Sequence, residues 1–278
     1  MSPTQAVELT ITDREFAEMR DLIHETSGIS LKDCKRVLVV SRLARRLREL
    51  RLSSFSEYLV HLRRADPSGD EMRRMINCIT TNKTSFFREE SHFPCLAAHL
   101  RTVFAGGRRA FRLWSAACST GEEPYSIAMT ALDAVPGAEI HVLGSDVDTE
   151  VLARAGQGVY PAAALDDLDS GIKRRWFLRG RAESEGLVQV KPEVRRAVEF
   201  RRINLVEEHW PVYGKLDAIF CRNVIIYFNR ETQRRLFDRL IPRLAPDGLL
   251  FVGHSESLFW LSDLVEPVQH AVYRPRSL

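Results

Sequence analysis

The stretch from Leu216 to Tyr227 joins an apolar run to polar side chains that could bind a ligand. The apolar run, broken only by Asp217, is typical of a central strand in a parallel sheet covered on both faces. Arg222, Asn223 and Tyr227 follow it, and ligands of open α/β sheets bind just beyond the carboxyl ends of the strands. The stretch therefore predicts a binding edge, although polar residues that only cap the next helix would give the same pattern.

A second group of candidate residues surrounds a small-residue turn at 119–121. The turn follows a predicted strand over 111–118, Glu122 and Glu123 open the next helix, and a predicted strand over 140–148 ends in acidic residues. Such a turn lets the backbone approach a nucleoside, and one carboxylate can accept both ribose hydroxyls. This region has no Gly-x-Gly-x-x-Gly motif, and the turn and the start of the following helix contain no basic residue. Both observations disfavour a phosphate-bearing ligand. A cationic nucleoside such as S-adenosylmethionine fits better than NAD or ATP.

Composition excludes several classes of protein. The 278 residues carry a net charge of +3, and no apolar run approaches the length of a membrane span. The amino terminus lacks the order of a signal peptide, so we expect a cytoplasmic protein. Five cysteines without a Cys-x-x-Cys pair, and histidines without ligand spacing, indicate neither a disulfide framework nor a metal site.

The elements that must position these residues fall into two regions. Residues 1–80 show helical periodicity, and residues 81–108 form a linker that ends near Gly106 and Gly107. From residue 109 to 278 strands alternate with helices, which is typical of a doubly wound α/β sheet. Within this region, about 160–202 alternates like short strands and predicts a small β insertion. Its edge could accept a peptide strand, or the insertion could serve packing alone.

The segment from Lys32 to Arg51 is the most basic of the chain, with eight basic residues against two acidic ones. On a helix, Arg42, Arg45 and Arg46 lie opposite an apolar face. That face consists of Val40, Leu43, Leu47 and Leu50. A basic stripe is compatible with a solvated surface, with nucleic acid or with an acidic protein surface.

Five motifs together resemble the bacterial chemotaxis receptor methyltransferases of the CheR family. They are the segments 82–88, 114–126, 145–148, 221–228 and 253–257, namely NKTSFFR, WSAACSTGEEPYS, SDVD, CRNVIIYF and GHSES. On its own, the first of these would indicate only helix-cap chemistry. The resemblance spans almost the whole chain. It implies a Rossmann-like S-adenosylmethionine-dependent methyltransferase sheet with a small β insertion, preceded by an all-α N-terminal domain.

The resemblance also implies an activity and its site residues. The family transfers a methyl group from S-adenosylmethionine to glutamate side chains on the cytoplasmic helical bundle of chemoreceptors. The implied cofactor-binding residues are Asn82, Thr84, Arg88, Glu122 or Glu123, Asp146, Asn204, Leu205, Asn223 and Val224. Asp146 resembles the ribose ligand, and the choice between Glu122 and Glu123 stays open.

The implied chemistry needs no general base, because a glutamate with a pKa of about 4.3 is already ionised at neutral pH. Arg88 and Tyr227 are the candidates to orient the incoming carboxylate. Arg42, Arg45 and Arg46 are candidates to dock an acidic receptor helix, and some family members bind a short C-terminal receptor peptide at the β insertion. We expect a monomer that binds no nucleic acid and does not insert into a membrane.

Two rival functions were weighed against this interpretation. A nucleic-acid amine methyltransferase would carry an Asp/Asn-Pro-Pro-aromatic turn. At the corresponding place this chain has the segment 222–227, RNVIIY, which contains no proline. A non-catalytic receptor-binding scaffold would have a decayed pocket. The presence of Asn82, Arg88, Asp146 and Asn223 argues against decay.

Overall fold

The structure is a computed structural model that describes residues 9–276. It contains two compact units. The first comprises residues 9–81 together with 227–229, and the second comprises residues 82–226 together with 230–276. No helix in the described residues is both long and apolar enough to span a membrane.

The first unit is helical. Its helices are α1 (Asp13–Ser27), α2 (Arg36–Glu49), α3 (Phe55–Arg64) and α4 (Asp70–Ile79). Helix α1 begins after a reciprocal capping box formed by Thr12 and Glu15. It ends at Gly28, which adopts the left-handed conformation that terminates a helix.

The buried face of α2 differs by one position from the predicted face. Val39 is fully buried, as are Leu43 and Leu47, whereas Val40 is half-buried. The prediction assigned Val40 to the core because Val39 and Val40 are adjacent, and the apolar pattern alone does not show which of the two faces the core. The helices enclose a core that includes Phe16, Met19, Phe55, Tyr58 and Met75.

The second unit is an α/β sheet, which confirms the predicted fold class. Its first elements are α5 (His92–Ala105), β1 (Ala110–Ala116), α6 (Glu122–Ala134), β2 (Glu139–Asp146), α7 (Thr149–Gln157), β3 (Val159–Pro161), α8 (Ser170–Trp176), β4 (Phe177–Arg179), β5 (Leu187–Val190) and α9 (Pro192–Arg196). Then follow β6 (Val198–Arg202), β7 (Leu216–Phe220), α10 (Arg230–Leu240), β8 (Leu244–Phe251), β9 (Val265–Gln269) and β10 (Val272–Pro275).

The described strands build one large sheet with the order β6-β2-β1-β7-β8-β10-β9. The strands from β6 to β8 are parallel, and β10 and β9 are antiparallel additions. Since β2 lies on one side of β1 and β7 on the other, the strand order reverses at the carboxyl ends of β1 and β7. A ligand crevice is expected at such a reversal.

The predicted β insertion proves smaller than expected and needs one correction. Strands β3, β5 and β4 form a separate antiparallel sheet. The segment from Val198, predicted to be part of the insertion, is instead β6, the edge of the main sheet paired in parallel with β2. Gly144 of β2 makes room for it, because a Cβ there would lie 2.8 Å from the Phe200 ring. Short alternating strands look alike in sequence, so their sheet could not be assigned.

Candidate cofactor and active site

The turn between β1 and α6 has an unusual backbone. Ala117, Ser119 and Gly121 all have positive φ values, of 69°, 49° and 97°. Such values cost little for glycine and strain the two other residues. A side chain at Gly121 would also collide with α7, since a Cβ would lie 2.8 Å from that of Ala155. The turn therefore packs closely against α7 and needs glycine at position 121.

Asp146, at the end of β2, holds this turn in place. Its Oδ2 accepts the main-chain N–H of Ser119 at 2.8 Å, and its Oδ1 accepts that of Asp148 at 3.0 Å. Burial raises the pKa of the Asp146 carboxyl, and these two hydrogen bonds oppose the rise. Each oxygen keeps a further lone pair that can accept a ligand hydroxyl.

The two glutamates that open α6 have different partners. Glu122 accepts the Thr120 hydroxyl at 2.7 Å, whereas Glu123 accepts the Ser115 hydroxyl at 2.6 Å. The Glu123 carboxylate also lies 3.4 Å from the guanidinium of Arg222. Burial raises the pKa of both carboxyl groups, and for Glu123 the charge of Arg222 opposes the rise. Glu123 is therefore engaged with a charged group and a hydroxyl of the protein, while Glu122 is hydrogen-bonded to the neighbouring Thr120.

The segment 82–91 runs along the same edge of the sheet. The Asn82 side-chain amide donates to Asp148 Oδ2 at 2.9 Å, and the main-chain carbonyl of Asn82 accepts the Ser119 hydroxyl at 3.1 Å. The Arg88 guanidinium donates to the Lys83 carbonyl at 2.8 Å. Thr84 is half-buried. The contacts of Asn82 thus join this segment to the turns that follow β1 and β2.

Arg222 lies at the centre of a buried charge cluster beyond the end of β7. Its side chain is 1% exposed, and Nε lies 3.4 Å from both Glu89 Oε2 and Glu123 Oε2. Its Nη2 donates to the Arg88 carbonyl at 2.5 Å. Burial alone would raise the pKa of Glu89, but the charge of Arg222 and hydrogen bonds from His254 and Asn223 lower it. Glu89 is therefore the ionised partner of Arg222.

Asn223 follows in the left-handed conformation, with φ at 56°. Glu256 Oε2 accepts the main-chain N–H of both Asn223, at 2.8 Å, and Gly253, at 2.6 Å. The Asn223 amide donates to Glu89 Oε1 at 3.2 Å. A Cβ at Gly253 would lie 2.4 Å from that amide nitrogen, so only glycine leaves room for it. Val224 comes next and is half-buried.

Asn204 and Leu205 are both buried just after β6. The Asn204 carbonyl oxygen accepts the indole N–H of Trp210 at 3.1 Å, and its side-chain oxygen accepts the Val206 N–H at 3.3 Å. The predicted cofactor residues of the second unit thus follow β1, β2, β6 and β7, four adjacent parallel strands. The fold brings them to one edge.

The candidates in the first unit have mostly structural contacts. Arg42 donates to the Ile79 carbonyl at 2.7 Å and to that of Thr80 at 2.5 Å, at the end of α4. Arg46 pairs with the buried Glu71. Arg45 remains 84% exposed and contacts only Glu49 within its own helix, as far as the described ion pairs show. Tyr227 groups with this unit, where its carbonyl accepts the Ser30 N–H at 2.7 Å.

Glu89, His92 and His254 bring potential metal ligands within 4.8 Å of one another. The guanidinium of Arg222 lies 3.4 Å from Glu89 Oε2, within the carboxylate that a metal would use. A second cation at this distance would be repelled in a buried environment. The electrostatics therefore disfavour a metal here.

The residues at the edge fit S-adenosylmethionine. The segment 115–124 has two glutamates and no basic residue, and the Asp146 carboxylate lies beside the turn. A doubly wound sheet with such an edge defines the class of S-adenosylmethionine-dependent methyltransferases. Residues 82–274 match the family described as CheR methyltransferase, SAM binding domain, and residues 14–80 match CheR methyltransferase, all-alpha domain. The chain belongs to the CheR methyltransferase family.

Curated relatives agree with this assignment. Over 270 residues the chain is 48% identical to chemotaxis protein methyltransferase 2 of Pseudomonas aeruginosa, covering 96% of this chain and 95% of the relative. Over 254 residues it is 48% identical to the chemotaxis protein methyltransferase of Escherichia coli, covering 90% of this chain and 86% of the relative.

Sequence reasoning missed several residues that shape the site. Arg222 was noted as a polar residue at a strand end but was not assigned a role. Glu256 lies within the segment 253–257 and Glu89 directly follows the segment 82–88, yet their partners are far away in sequence. Asp148 gave a local signal, because an aspartate before a helical pattern predicts an N-cap, and it does cap α7.

Proposed function

We propose that this enzyme transfers a methyl group from S-adenosylmethionine to glutamate carboxylates of chemoreceptors, forming methyl esters in chemotactic adaptation. The observation that carries the proposal is the meeting of Asn82, Asp146, Glu122 and Asn223 at one edge of a CheR-family sheet. Relatives named as chemotaxis protein methyltransferases support the biological setting.

The cofactor supplies an electrophilic methyl group, and the protein supplies its binding contacts. Asp146 would accept the ribose hydroxyls with the lone pairs that Ser119 and Asp148 leave free. Asn204, Leu205, Asn223 and Val224 would line the adenosine and methionine portions. Of the two glutamates, Glu122 is the better candidate to contact the cofactor, because Glu123 is held by Ser115 and Arg222.

The acceptor glutamate is ionised at neutral pH, so the protein has to align it and exclude water rather than remove a proton. Arg88 is the proposed orienting group. Its guanidinium has five N–H donors, one of which is bound to the Lys83 carbonyl, so others remain to hold a carboxylate. A modest contact suits this role, since a tight ion pair would weaken the nucleophile. The role of Tyr227 stays a prediction.

Receptor docking is proposed at two surfaces. Arg45 is the exposed member of the three predicted docking arginines and suits an acidic receptor helix. The outer strands β3 and β4 of the small sheet each pair only with β5 in the described residues. A receptor C-terminal peptide could add to one of them.

The test uses membranes that carry native chemoreceptors, S-adenosylmethionine labelled with tritium in the methyl group, and this protein. Label that mild alkali releases as a volatile product identifies a carboxyl methyl ester. Label that is stable to alkali would identify an amine acceptor and refute the glutamate mechanism. Full turnover by Arg88→Ala would refute the role of Arg88.

A further inference from the structure

The segment 82–91 holds a conformation that its own sequence does not favour. Phe87 and Glu89, the neighbours of Arg88, have φ values of 54° and 57°. Residues with a Cβ persist in this left-handed region only where surrounding contacts over-determine it. The segment also carries three of the proposed cofactor or substrate contacts, Asn82, Thr84 and Arg88. What fixes it therefore matters for the site.

Arg222, which follows β7, contacts this strained region. Its guanidinium donates to the Arg88 carbonyl at 2.5 Å, between the two strained residues, and lies 3.4 Å from Glu89 Oε2. The same group lies 3.4 Å from Glu123 Oε2 at the start of α6. One side chain thus joins the segment to the sheet and to the helix that follows the cofactor turn.

Other contacts also hold the segment. Phe87 N–H donates to the Ser126 hydroxyl at 2.9 Å, and the Phe86 ring packs edge-on against Tyr160 and Phe177. Glu89 Oε1 accepts the Asn223 amide at 3.2 Å and the His254 N–H at 3.1 Å. Arg222 adds the hydrogen bond to the Arg88 carbonyl and the positive charge beside Glu89 Oε2. Loss of Arg222 would therefore loosen the main chain at Arg88 without detaching the segment.

We propose that Arg222 is the positioning residue that holds Arg88 and Glu89 in place and so sets the affinity of the site for its cofactor. The inference rests on the proposed function, since the ligand it concerns is S-adenosylmethionine. Lysine cannot replace arginine here, because Arg222 uses two nitrogens, Nε beside the two carboxylates and Nη2 at the Arg88 carbonyl, whereas lysine has one. Arg222 acts through Arg88 and Glu89, and no contact of its own with the reacting atoms is involved.

A matched control exists at the other end of β7. Arg108 also lies between two carboxylates, those of Asp217 and Asp247, and Asp217 lies on β7 at the end opposite to Arg222. Arg108→Lys thus removes another arginine that joins two carboxylates without touching the segment 82–91. Arg222→Lys and Arg222→Gln form the test series, because the second keeps N–H donors without the charge.

The experiment measures hydrogen exchange by mass spectrometry and S-adenosylhomocysteine binding by calorimetry on the full chain. In Arg222→Lys we expect faster exchange across 82–91, unchanged exchange in β1, and a Kd raised about tenfold or more, because small misplacements of binding groups are costly. Arg222→Gln should show larger changes of both kinds. Arg108→Lys should leave both the exchange of 82–91 and the Kd unchanged.

Unchanged exchange across 82–91 in Arg222→Lys would overturn the inference, and so would faster exchange with an unchanged Kd. Equal effects in Arg108→Lys would also overturn it, since they would show a general loss of stability. Neither readout needs an acceptor protein. If the wild type bound S-adenosylhomocysteine but released no alkali-labile label, the proposed function would fail while the role of Arg222 would still be decided.

Discussion

Asp146 accepts the main-chain N–H of Ser119 at 2.8 Å, and this hydrogen bond ties the end of one strand to the turn that follows its neighbour. The carboxylate therefore has two tasks, since it shapes the turn and is the proposed ligand of the ribose. A variant that damages the first task must also damage the second.

We expect Asp146→Asn to weaken S-adenosylhomocysteine binding at least tenfold and to destabilise the fold by about 1–3 kcal/mol. The amide nitrogen would face either the Ser119 or the Asp148 N–H, leaving a buried donor without an acceptor. Calorimetry and thermal unfolding measure the two effects. Asp133→Asn, which removes a half-exposed carboxylate paired with Arg175, is the control and should change neither.

Gly253→Ala should displace the side chain of Asn223. The added Cβ would lie 2.4 Å from the Asn223 amide nitrogen and 2.8 Å from Glu256 Oε2, so the fold is expected to lose about 1–3 kcal/mol and the affinity for the cofactor product to fall. Gly156→Ala is the matched control. It lies in α7 with no atom near the new methyl group and should be neutral or slightly stabilising. Equal stability of the two variants would contradict the crowding argument.

Glu71→Ala should destabilise the helical unit by about 3–5 kcal/mol, because it leaves Arg46 and the Tyr58 hydroxyl without their buried partner. The side chains of Arg46 and Glu71 are 13% and 6% exposed. Urea unfolding followed by circular dichroism measures the loss. Glu49→Ala also removes a partner of Arg46, but one at the surface, and should cost less than about 1 kcal/mol. Similar losses in both would show that burial of the pair contributes nothing.

Arg45→Glu tests the proposed docking surface without disturbing the fold, since the side chain is 84% exposed. We expect methylation of receptor membranes to slow severalfold at low salt, because exposed charges mainly govern the rate of encounter. Binding of S-adenosylhomocysteine should not change. Arg101→Glu places the same charge reversal on an exposed position of α5. If the two variants methylated at the same rate, Arg45 would have no special part in docking.

His92 makes stability depend on pH. Burial, with the charge of Arg222, lowers the pKa of His92 to about 3. A group whose pKa is lowered in the folded state stabilises the fold above its unfolded pKa of about 6.5, and this stability is lost as the pH falls towards 3. One proton taken up only by the unfolded chain costs about 2 kcal/mol between about pH 7.5 and 5. His92→Phe, which keeps the aromatic contact with Phe251, should lack this part of the acid sensitivity. Parallel stability curves for the two proteins would refute the assignment.

Local signals in the sequence were sufficient for much of the fold. The capping box at Thr12 and the glycine after Ser27 define α1 by contacts three or four residues apart. The apolar run that begins at Leu216 is indeed a fully buried strand. The motifs that resemble the CheR family gave the cofactor, and the family match bears this out.

What the sequence could not give depends on distant partners. The contacts of Arg222 with Glu89 and Glu123 join three separate segments, and no local pattern encodes them. The same holds for Arg42 and Arg46, whose charges suggested a free surface although α4 supplies their partners. The strand at Val198 has the alternation expected for either sheet, and it pairs with β2, where Gly144 leaves room for the Phe200 ring.

The small sheet interrupts the chain between α7 and β6, which is where an ordinary strand–helix–strand crossover would have a short loop. Residues added or removed there leave the pairing of β2 with β1 and β6 untouched, so they cost mainly loop-closure entropy, about 0.6 kcal/mol for each doubling of length. Tyr160 sets the limit of this freedom, because its hydroxyl donates to the Thr120 carbonyl at 2.8 Å. The exposed loops of the insertion are thus the part of the fold that best tolerates a change in length, as long as the Tyr160 hydroxyl still reaches the Thr120 carbonyl.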